Sequence, residues 1–173
     1  LDTGMAEADL QAAVHPGVDG IMLPKAEGGA DAARLAELIA PLEAAAGMAA
    51  GHVKILPLVT ETPAGLFNLA SYAPAHPRLA GLTWGAEDLA SVVGATSNRG
   101  EDGEWTAPYQ LARSLCLFAA AHAGVPAVET LHADFRDAAG LAASCRAARR
   151  DGFAGRLAIH PAQVEAIERD RKS

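Results

Sequence analysis

Residues 53–63 read Val53-Lys54-Ile55-Leu56-Pro57-Leu58-Val59-Thr60-Glu61-Thr62-Pro63. The run up to Thr60 is apolar and has the length of a buried strand, and Glu61 follows it directly. Thr62 and Pro63 are typical of a helix start, with a hydroxyl at the N-cap and proline in the first turn. This order predicts a parallel α/β fold with Glu61 at the carboxyl end of its strand, where catalytic groups collect.

The same order of residues returns further along the chain. The run Leu79-Ala80-Gly81-Leu82-Thr83-Trp84-Gly85-Ala86 leads to Asp88 and a helical pattern. Glu61 and Asp88 are 88 − 61 = 27 positions apart, about one strand–helix repeat, so neighbouring strands would bring both carboxylates together. The alternative is that each acid serves only its own helix start. Two acids in the same register on adjacent repeats favour a shared site.

Strand-like and helical segments alternate along the chain in five units. The strand-like runs lie at 20–25, 53–60, 79–84, 126–131 and 157–159. Such alternation predicts a parallel sheet covered by helices, and no Gly-rich phosphate turn follows the first strand to suggest a doubly wound sheet. We therefore expect one (β/α)8 TIM barrel domain over residues 1–173. Only about five of its strand–helix units are represented, because a whole barrel needs about 250 residues.

Residue spacing also predicts which helix faces are buried. Pro41 interrupts a helical pattern and should kink or end that helix near Ala40. The polar segment 96–103 is expected to be an exposed loop. The side chains expected to face the core in the later helices are Leu111, Leu115, Phe118, Ala119, Val164 and Ile167.

The composition excludes some classes of protein. The chain has 173 residues and a net charge of −7, whereas a nucleic-acid-binding surface carries a basic excess. No apolar segment reaches the ~20 residues that cross a bilayer. Cys116 and Cys145 lie on the apolar sides of helical patterns, which predicts buried free thiols and a cytoplasmic protein.

The two acids suit a hard cation. Mg2+ is usually held by one or two carboxylates, with water and substrate oxygens completing its octahedron. Glu61 and Asp88 are therefore the predicted metal ligands and catalytic residues. Gly85, Ala86 and Glu87 open the helix that carries Asp88, and backbone N–H groups there are expected to bind a substrate carboxylate.

Three further residues are weaker candidates for the functional site. Lys25 ends a strand and is a candidate for substrate binding, with a plain surface lysine as the alternative, and Glu27 is expected to be solvated. His160 follows the last strand, where capping the helix begun by Pro161 competes with catalysis. The chain has no Gly-x-Ser-x-Gly motif, so a serine hydrolase is not expected.

Six segments, in order, resemble the citrate lyase beta-subunit group of the HpcH/HpaI aldolase superfamily. They are Asp19–Lys25, Leu56–Thr62, Trp84–Leu89, Arg99 with Asp102-Gly103, Ala112–Ser114 and Ala158–Val164. The resemblance implies a (β/α)8 barrel, trimeric or hexameric, that cleaves or forms carbon–carbon bonds in acyl-CoA substrates. It also implies Mg2+ bound at the positions of Glu61 and Asp88. Three N-terminal strands, one with an Arg that clamps the substrate, and a C-terminal extension are expected to lie outside this sequence.

The predicted function is that of a Mg2+-dependent carbon–carbon lyase. Its partners would be an acyl-CoA and a 2-oxo acid, through a citryl-CoA-like or malyl-CoA-like thioester. A CoA-independent class II pyruvate-type aldolase and a non-catalytic CoA- or oxo-acid-binding subunit of a larger complex are the alternatives. The chain departs from the family at Thr60, where an aliphatic residue is common, and at Glu129, where Asp is expected. Both departures bear on substrate choice more than on metal binding.

Overall fold

The computed structural model, which describes residues 4–171, has five short parallel strands in that range, in a two-stranded and a three-stranded sheet. The ends of the predicted domain, residues 1–3 and 172–173, lie outside this range. The strands are β1 (Gly20–Leu23), β2 (Lys54–Pro57), β3 (Leu82–Thr83), β4 (Ala127–Glu129) and β5 (Gly155–Arg156). β1 pairs with β2, and β3, β4 and β5 pair in that order.

Sparse bonds join β2 to β3. Parallel bridges pair Ile55 with Leu79 and Leu58 with Thr83, and the N–H of Val59 donates to the carbonyl of Thr83 at 2.9 Å. The five strands therefore lie side by side in chain order. This part of the sheet has no reversal of strand order of the kind that marks a doubly wound fold. The predicted α/β class is confirmed.

Helices connect the strands. They are α1 (Ala6–Ala13), α2 (Gly29–Ala45), α3 (Pro63–Phe67), α4 (Glu87–Val92), α5 (Ala107–Ala123), α6 (Ala138–Asp151) and α7 (Val164–Arg171), with short 3-10 helices at Leu69–Tyr72 and Pro161–Gln163. The predicted start of α3 is confirmed: Thr62 Oγ1 accepts from the N–H of Gly65 at 3.0 Å, and Pro63 is the first helical residue. This local chemistry ends the extended chain directly after Glu61.

Two apolar clusters fill the space between sheet and helices. The first packs α2 against β1 and β2 through Leu23, Leu35, Ile39 and Ile55. The second packs α5 against the neighbouring strands, with Trp84 fully buried at its centre. Both clusters lie behind the strands whose carboxyl ends carry the predicted site.

The buried face of α5 differs from the prediction. Leu111 and Phe118 are 59% and 65% exposed, Leu115 is half-buried and only Ala119 is buried as expected. The buried side chains are Tyr109, Ala112, Cys116, Ala119 and Ala120. Small residues let the helix lie close to the sheet, so the larger apolar side chains at helical spacing lie on the outer face instead.

Three other predictions need correction. α2 continues through Pro41 as far as Ala45, so it does not end near Ala40, and a kink at Pro41 stays a prediction; Pro41 is exposed, while Ile39 and Glu43 are buried. Residues 157–159 are not the last strand, because pairing with β4 starts earlier, at Gly155. Val164 is 50% exposed, and Ile167 is half-buried.

Cys116 and Cys145 are buried free thiols, as predicted. Burial raises the pKa of the Cys116 thiol to about 12, which keeps it protonated near neutral pH. Among residues 4–171, no helix is long and apolar enough to cross a membrane.

Candidate functional site

Glu61 and Asp88 meet at the carboxyl edge of the sheet. Glu61 follows the extended residues after β2, and Asp88 is the second residue of α4, which follows β3. Both are half-buried. Burial raises the pKa of Glu61 above its ordinary value of 4.5, and a hydrogen bond and charge repulsion from Asp88 raise it further, against a lowering contact from Lys25. The two predicted ligands are therefore direct neighbours.

The backbone of Lys25 completes this cluster. Lys25 has a left-handed conformation (φ 51°), and its N–H donates to Oε2 of Glu61 at 2.5 Å. Its side chain is exposed. The loop after β1 thus orients the carboxylate after β2 through a main-chain donor. The predicted substrate role of the Lys25 side chain stays a prediction.

Thr60 binds the segment that leads to Asp88. Its hydroxyl donates to the carbonyl of Gly85 at 2.9 Å and accepts from the N–H of Gly85 at 3.0 Å. Thr60 is completely buried. Sequence reasoning noted this residue only as a departure from an aliphatic pattern, and the hydroxyl in a buried strand was the available signal.

Gly85 and Ala86 form the turn between β3 and α4. A Cβ at Gly85 would lie 3.0 Å from Leu58 Cδ2 and 3.7 Å from Glu61 Cγ, so glycine permits a close approach to the strand before Glu61. Ala86 is buried and caps α4 without a side-chain hydrogen bond. Backbone N–H groups in the first turn of α4 therefore lie next to the two acids.

The side chain of Glu87 contacts a neighbouring hairpin. Its Oε2 accepts from Nδ2 of Asn98 at 2.8 Å. The predicted loop 96–103 is exposed. Arg99 in this loop pairs with Trp105 just beyond it, and its guanidinium carbon lies 3.6 Å from the centroid of the Trp105 ring. Trp105 in turn packs edge-on against Trp84, with ring centroids 5.3 Å apart. Glu87 thus links this hairpin to the helix that carries Asp88.

Glu129 lies in the core. It is 3% exposed, and it accepts from Nε1 of Trp84 at 2.5 Å, from Nε of Arg113 at 2.7 Å and from the N–H of Thr130 at 2.9 Å. Arg113 also bonds Asp151 at 2.8 Å. Both oxygens of Glu129 are thus used within the fold.

A cleft of about 840 Å³ lies beside β4, between α5 and α6. Glu129, Arg113 and Arg156 contribute to its wall. Neither Glu61 nor Asp88 lines it. The cleft and the paired acids are therefore separate features of this surface.

Two other candidates have structural roles. Glu27 is exposed, and its Oε1 accepts from Thr62 Oγ1 at 3.0 Å, which ties the loop after β1 to the start of α3. His160 Nδ1 accepts from the N–H of Ala162 at 3.1 Å, so His160 caps the turn that precedes α7. The capping alternative for His160 is confirmed.

Comparison with known proteins identifies relatives of this chain. Residues 1–161 match the family model of HpcH/HpaI aldolase/citrate lyase. A (3S)-malyl-CoA thioesterase from Cereibacter sphaeroides is 36% identical over 165 residues, which are 95% of this chain and 52% of the relative. The chain thus spans about half the length of the curated relatives it matches.

Solved structures from Mycobacterium tuberculosis are also similar. A citrate lyase beta subunit complexed with oxaloacetate and magnesium has a TM-score of 0.70 and 32% identity, covering 90% of this chain and 62% of that chain. Protein CitE in complex with magnesium, acetoacetate and coenzyme A has a TM-score of 0.68 and 32% identity, covering 90% of this chain and 52% of that chain. The match of the family model to most of the chain, together with these likenesses, confirms the resemblance of the six motifs: the chain belongs to the HpcH/HpaI aldolase/citrate lyase family.

Proposed function

We propose that this protein is a Mg2+-dependent carbon–carbon lyase of the citrate lyase beta-subunit type. It would cleave a citryl-CoA-like or malyl-CoA-like thioester into a 2-oxo acid and acetyl-CoA, or form the thioester from them. The observation that carries the proposal is the meeting of Glu61 and Asp88 at the carboxyl ends of adjacent parallel strands. Magnesium complexes of similar proteins with oxaloacetate or coenzyme A support it.

The donor set at this edge fits Mg2+. Two adjacent half-buried carboxylates repel each other, and a divalent cation between them would offset that repulsion. Residues 4–171 contain no group of three or more His, Cys, Asp and Glu side chains placed for a metal. Mg2+ does not need one, since one or two carboxylates with water and substrate oxygens suffice. When bound, Mg2+ supplies Lewis-acid stabilisation of negative charge on the oxo-acid oxygens.

The remaining groups of the site orient Glu61 and bind the substrate. The N–H of Lys25 holds Oε2 of Glu61 and so fixes the direction of that carboxylate. Backbone N–H groups of Ala86, Glu87 and Asp88, at a helix start without a side-chain cap, bind the oxo acid's carboxylate. The exposed ammonium group of Lys25 is available for a second anionic group of the substrate.

The five strands would belong to a (β/α)8 barrel. They follow one another in chain order, with β1 and β5 at the two edges, so 8 − 5 = 3 further strands would close the sheet. The acids then lie at the mouth formed by the carboxyl ends, where barrel enzymes hold their sites. A trimeric or hexameric enzyme remains the expectation from the family resemblance, and a cytoplasmic location remains the expectation from the free cysteines.

Thioester hydrolysis is a second candidate, favoured by the relationship to the malyl-CoA thioesterase. The products separate the two reactions. Carbon–carbon cleavage of malyl-CoA yields glyoxylate and acetyl-CoA, whereas hydrolysis yields malate and free CoA. Product analysis with malyl-CoA on the full-length protein therefore decides between them.

The metal site is tested by calorimetry of oxaloacetate binding with and without Mg2+. We expect binding that requires the metal and is lost in Glu61→Gln and in Asp88→Asn, with the fold retained. Binding that ignores Mg2+, or full activity in either variant, would contradict the lyase proposal. Metal-dependent binding of oxaloacetate and CoA without turnover would indicate a binding subunit, and turnover unaffected by free CoA would indicate a CoA-independent aldolase.

A further inference from the structure

We propose that Thr60 is a positioning residue that fixes the spacing between the two acid-bearing segments. The inference rests on the proposed metal function of Glu61 and Asp88. Thr60 directly precedes Glu61, and its hydroxyl partner Gly85 lies three positions before Asp88. One side chain therefore connects the segments that carry both carboxylates.

The hydroxyl of Thr60 acts as a donor and as an acceptor toward the same residue. It donates to the carbonyl of Gly85 at 2.9 Å and accepts from the N–H of Gly85 at 3.0 Å. A hydroxyl has one donor and two acceptor lone pairs, so this closed arrangement satisfies both main-chain groups of Gly85. Thr60 is 0% exposed and Gly85 is half-buried, so the hydroxyl itself has no access to solvent.

The two hydrogen bonds between Thr60 and Gly85 lie where backbone hydrogen bonds between the two strands are sparse. Nearest the site, the N–H of Val59 donates to the carbonyl of Thr83. One residue further on, the hydrogen bonds to the neighbouring segment come from the side chain of Thr60 and not from its main chain. The separation of Glu61 from Asp88 is therefore set by a side chain rather than by a regular ladder.

Close packing around Gly85 limits the positions that its main chain can take. A Cβ there would lie 3.0 Å from Leu58 Cδ2, so the main chain of Gly85 rests directly against the side chain of Leu58. Valine at position 60 would keep the shape of threonine and remove the hydroxyl. The N–H and C=O of the half-buried Gly85 would then lose their partner in Thr60, and the turn before Asp88 would shift to recover hydrogen bonds.

The test is Mg2+ affinity in the full-length protein, measured by calorimetry together with the melting temperature. We expect Thr60→Val to weaken Mg2+ binding by about tenfold or more, the usual effect of removing a group that orients a metal ligand. Thr60→Ser keeps the hydroxyl and should bind Mg2+ like the wild type. If Thr60→Val melts at a lower temperature but keeps wild-type Mg2+ affinity, Thr60 is only structural and the inference is wrong.

Two further sets of variants keep the outcome interpretable. Glu61→Gln and Asp88→Asn report on the metal site itself: if both retain Mg2+ binding, the proposed function and this inference fail together. If they lose it while Thr60→Val does not, only the positioning role fails. Should Thr60→Val not fold, Thr60→Ala removes the same hydroxyl without the added methyl, and wild-type Mg2+ affinity in that variant would overturn the inference.

Discussion

Lys25 contacts Glu61 through its main chain, although 36 positions separate the two residues. The N–H donates to Oε2 of Glu61, and the left-handed backbone of Lys25 aims it there. Such a conformation costs a non-glycine residue about 1–2 kcal/mol. The strained residue of the loop after β1 is therefore the one that orients the candidate metal ligand.

The first prediction separates the main chain of Lys25 from its side chain. Lys25→Gly and Lys25→Ala keep the N–H and should bind Mg2+ like the wild type. Lys25→Val places a β-branched residue in the left-handed region and should lower the free energy of unfolding by about 1 kcal/mol or more relative to Lys25→Gly. Urea unfolding and calorimetry check both points, and equal stability of the Val and Gly variants would contradict the argument.

The second prediction concerns pH in the metal-free protein. The pKa of Glu61 is raised, first by burial and then by Asp88, so the folded state favours the protonated carboxyl. The contribution of Glu61 to the free energy of unfolding is fully present below pH 4.5 and is lost as pH rises through the raised pKa. We expect the metal-free melting temperature of the wild type to fall over that range relative to Glu61→Gln, which does not titrate. Parallel pH profiles for the two proteins would show that Glu61 does not carry this effect.

The sequence predicted the parts of the site that depend on local order. Thr62 and Pro63 specify a helix start by their own chemistry, and the repeat spacing predicts Glu61 and Asp88 just after the carboxyl ends of adjacent strands. The donor from Lys25 could not be predicted, because every residue except proline carries an N–H and only tertiary structure selects one.

The misassigned elements have a similar origin. The sequence pattern predicts the last strand at the apolar residues 157–159, but in the structure Gly155 and Arg156 pair with β4. In α5 the large side chains Leu111 and Phe118 face outward, because smaller residues let the helix lie close to the sheet. In both cases tertiary contacts overrode a ranking by hydrophobicity.

The third prediction concerns Glu87. Its carboxylate would repel an anionic substrate and instead accepts from Asn98, so any contribution to substrate binding should come from its N–H. Glu87→Gln keeps an acceptor and the N–H, and should retain oxaloacetate affinity and amide protection in residues 98–106. Glu87→Ala should accelerate hydrogen exchange in that hairpin. A large loss of oxaloacetate affinity in Glu87→Gln would instead assign the carboxylate to the substrate.

The fourth prediction concerns a buried ion pair that joins α2 to the starts of two strands. Arg78 donates from both Nη atoms to the carboxylate of Glu43 at 2.7 Å, and Glu43 also accepts from the N–H groups of Gly51 and Val53. Arg78→Met would leave a buried carboxylate without its counter-ion and should lower the free energy of unfolding by about 3–5 kcal/mol. Urea unfolding at neutral pH measures this loss, with the exposed Arg34→Met on the same helix as Glu43 as the control, expected within about 0.5 kcal/mol of the wild type.

The last prediction follows from the acidity of Glu43. Hydrogen bonds from Arg78 are the largest of the causes that lower its pKa from 4.5 to about 2, so the folded state favours the ionised form. A lowered pKa gives stability that is present above pH 4.5 and is lost as pH falls toward 2. We expect the wild-type free energy of unfolding to decline steeply across this window, and that of Glu43→Gln to start lower and decline less. Urea unfolding at several pH values measures both slopes. Equal slopes would mean that other carboxylates, rather than the Glu43–Arg78 pair, govern the acid sensitivity of the fold.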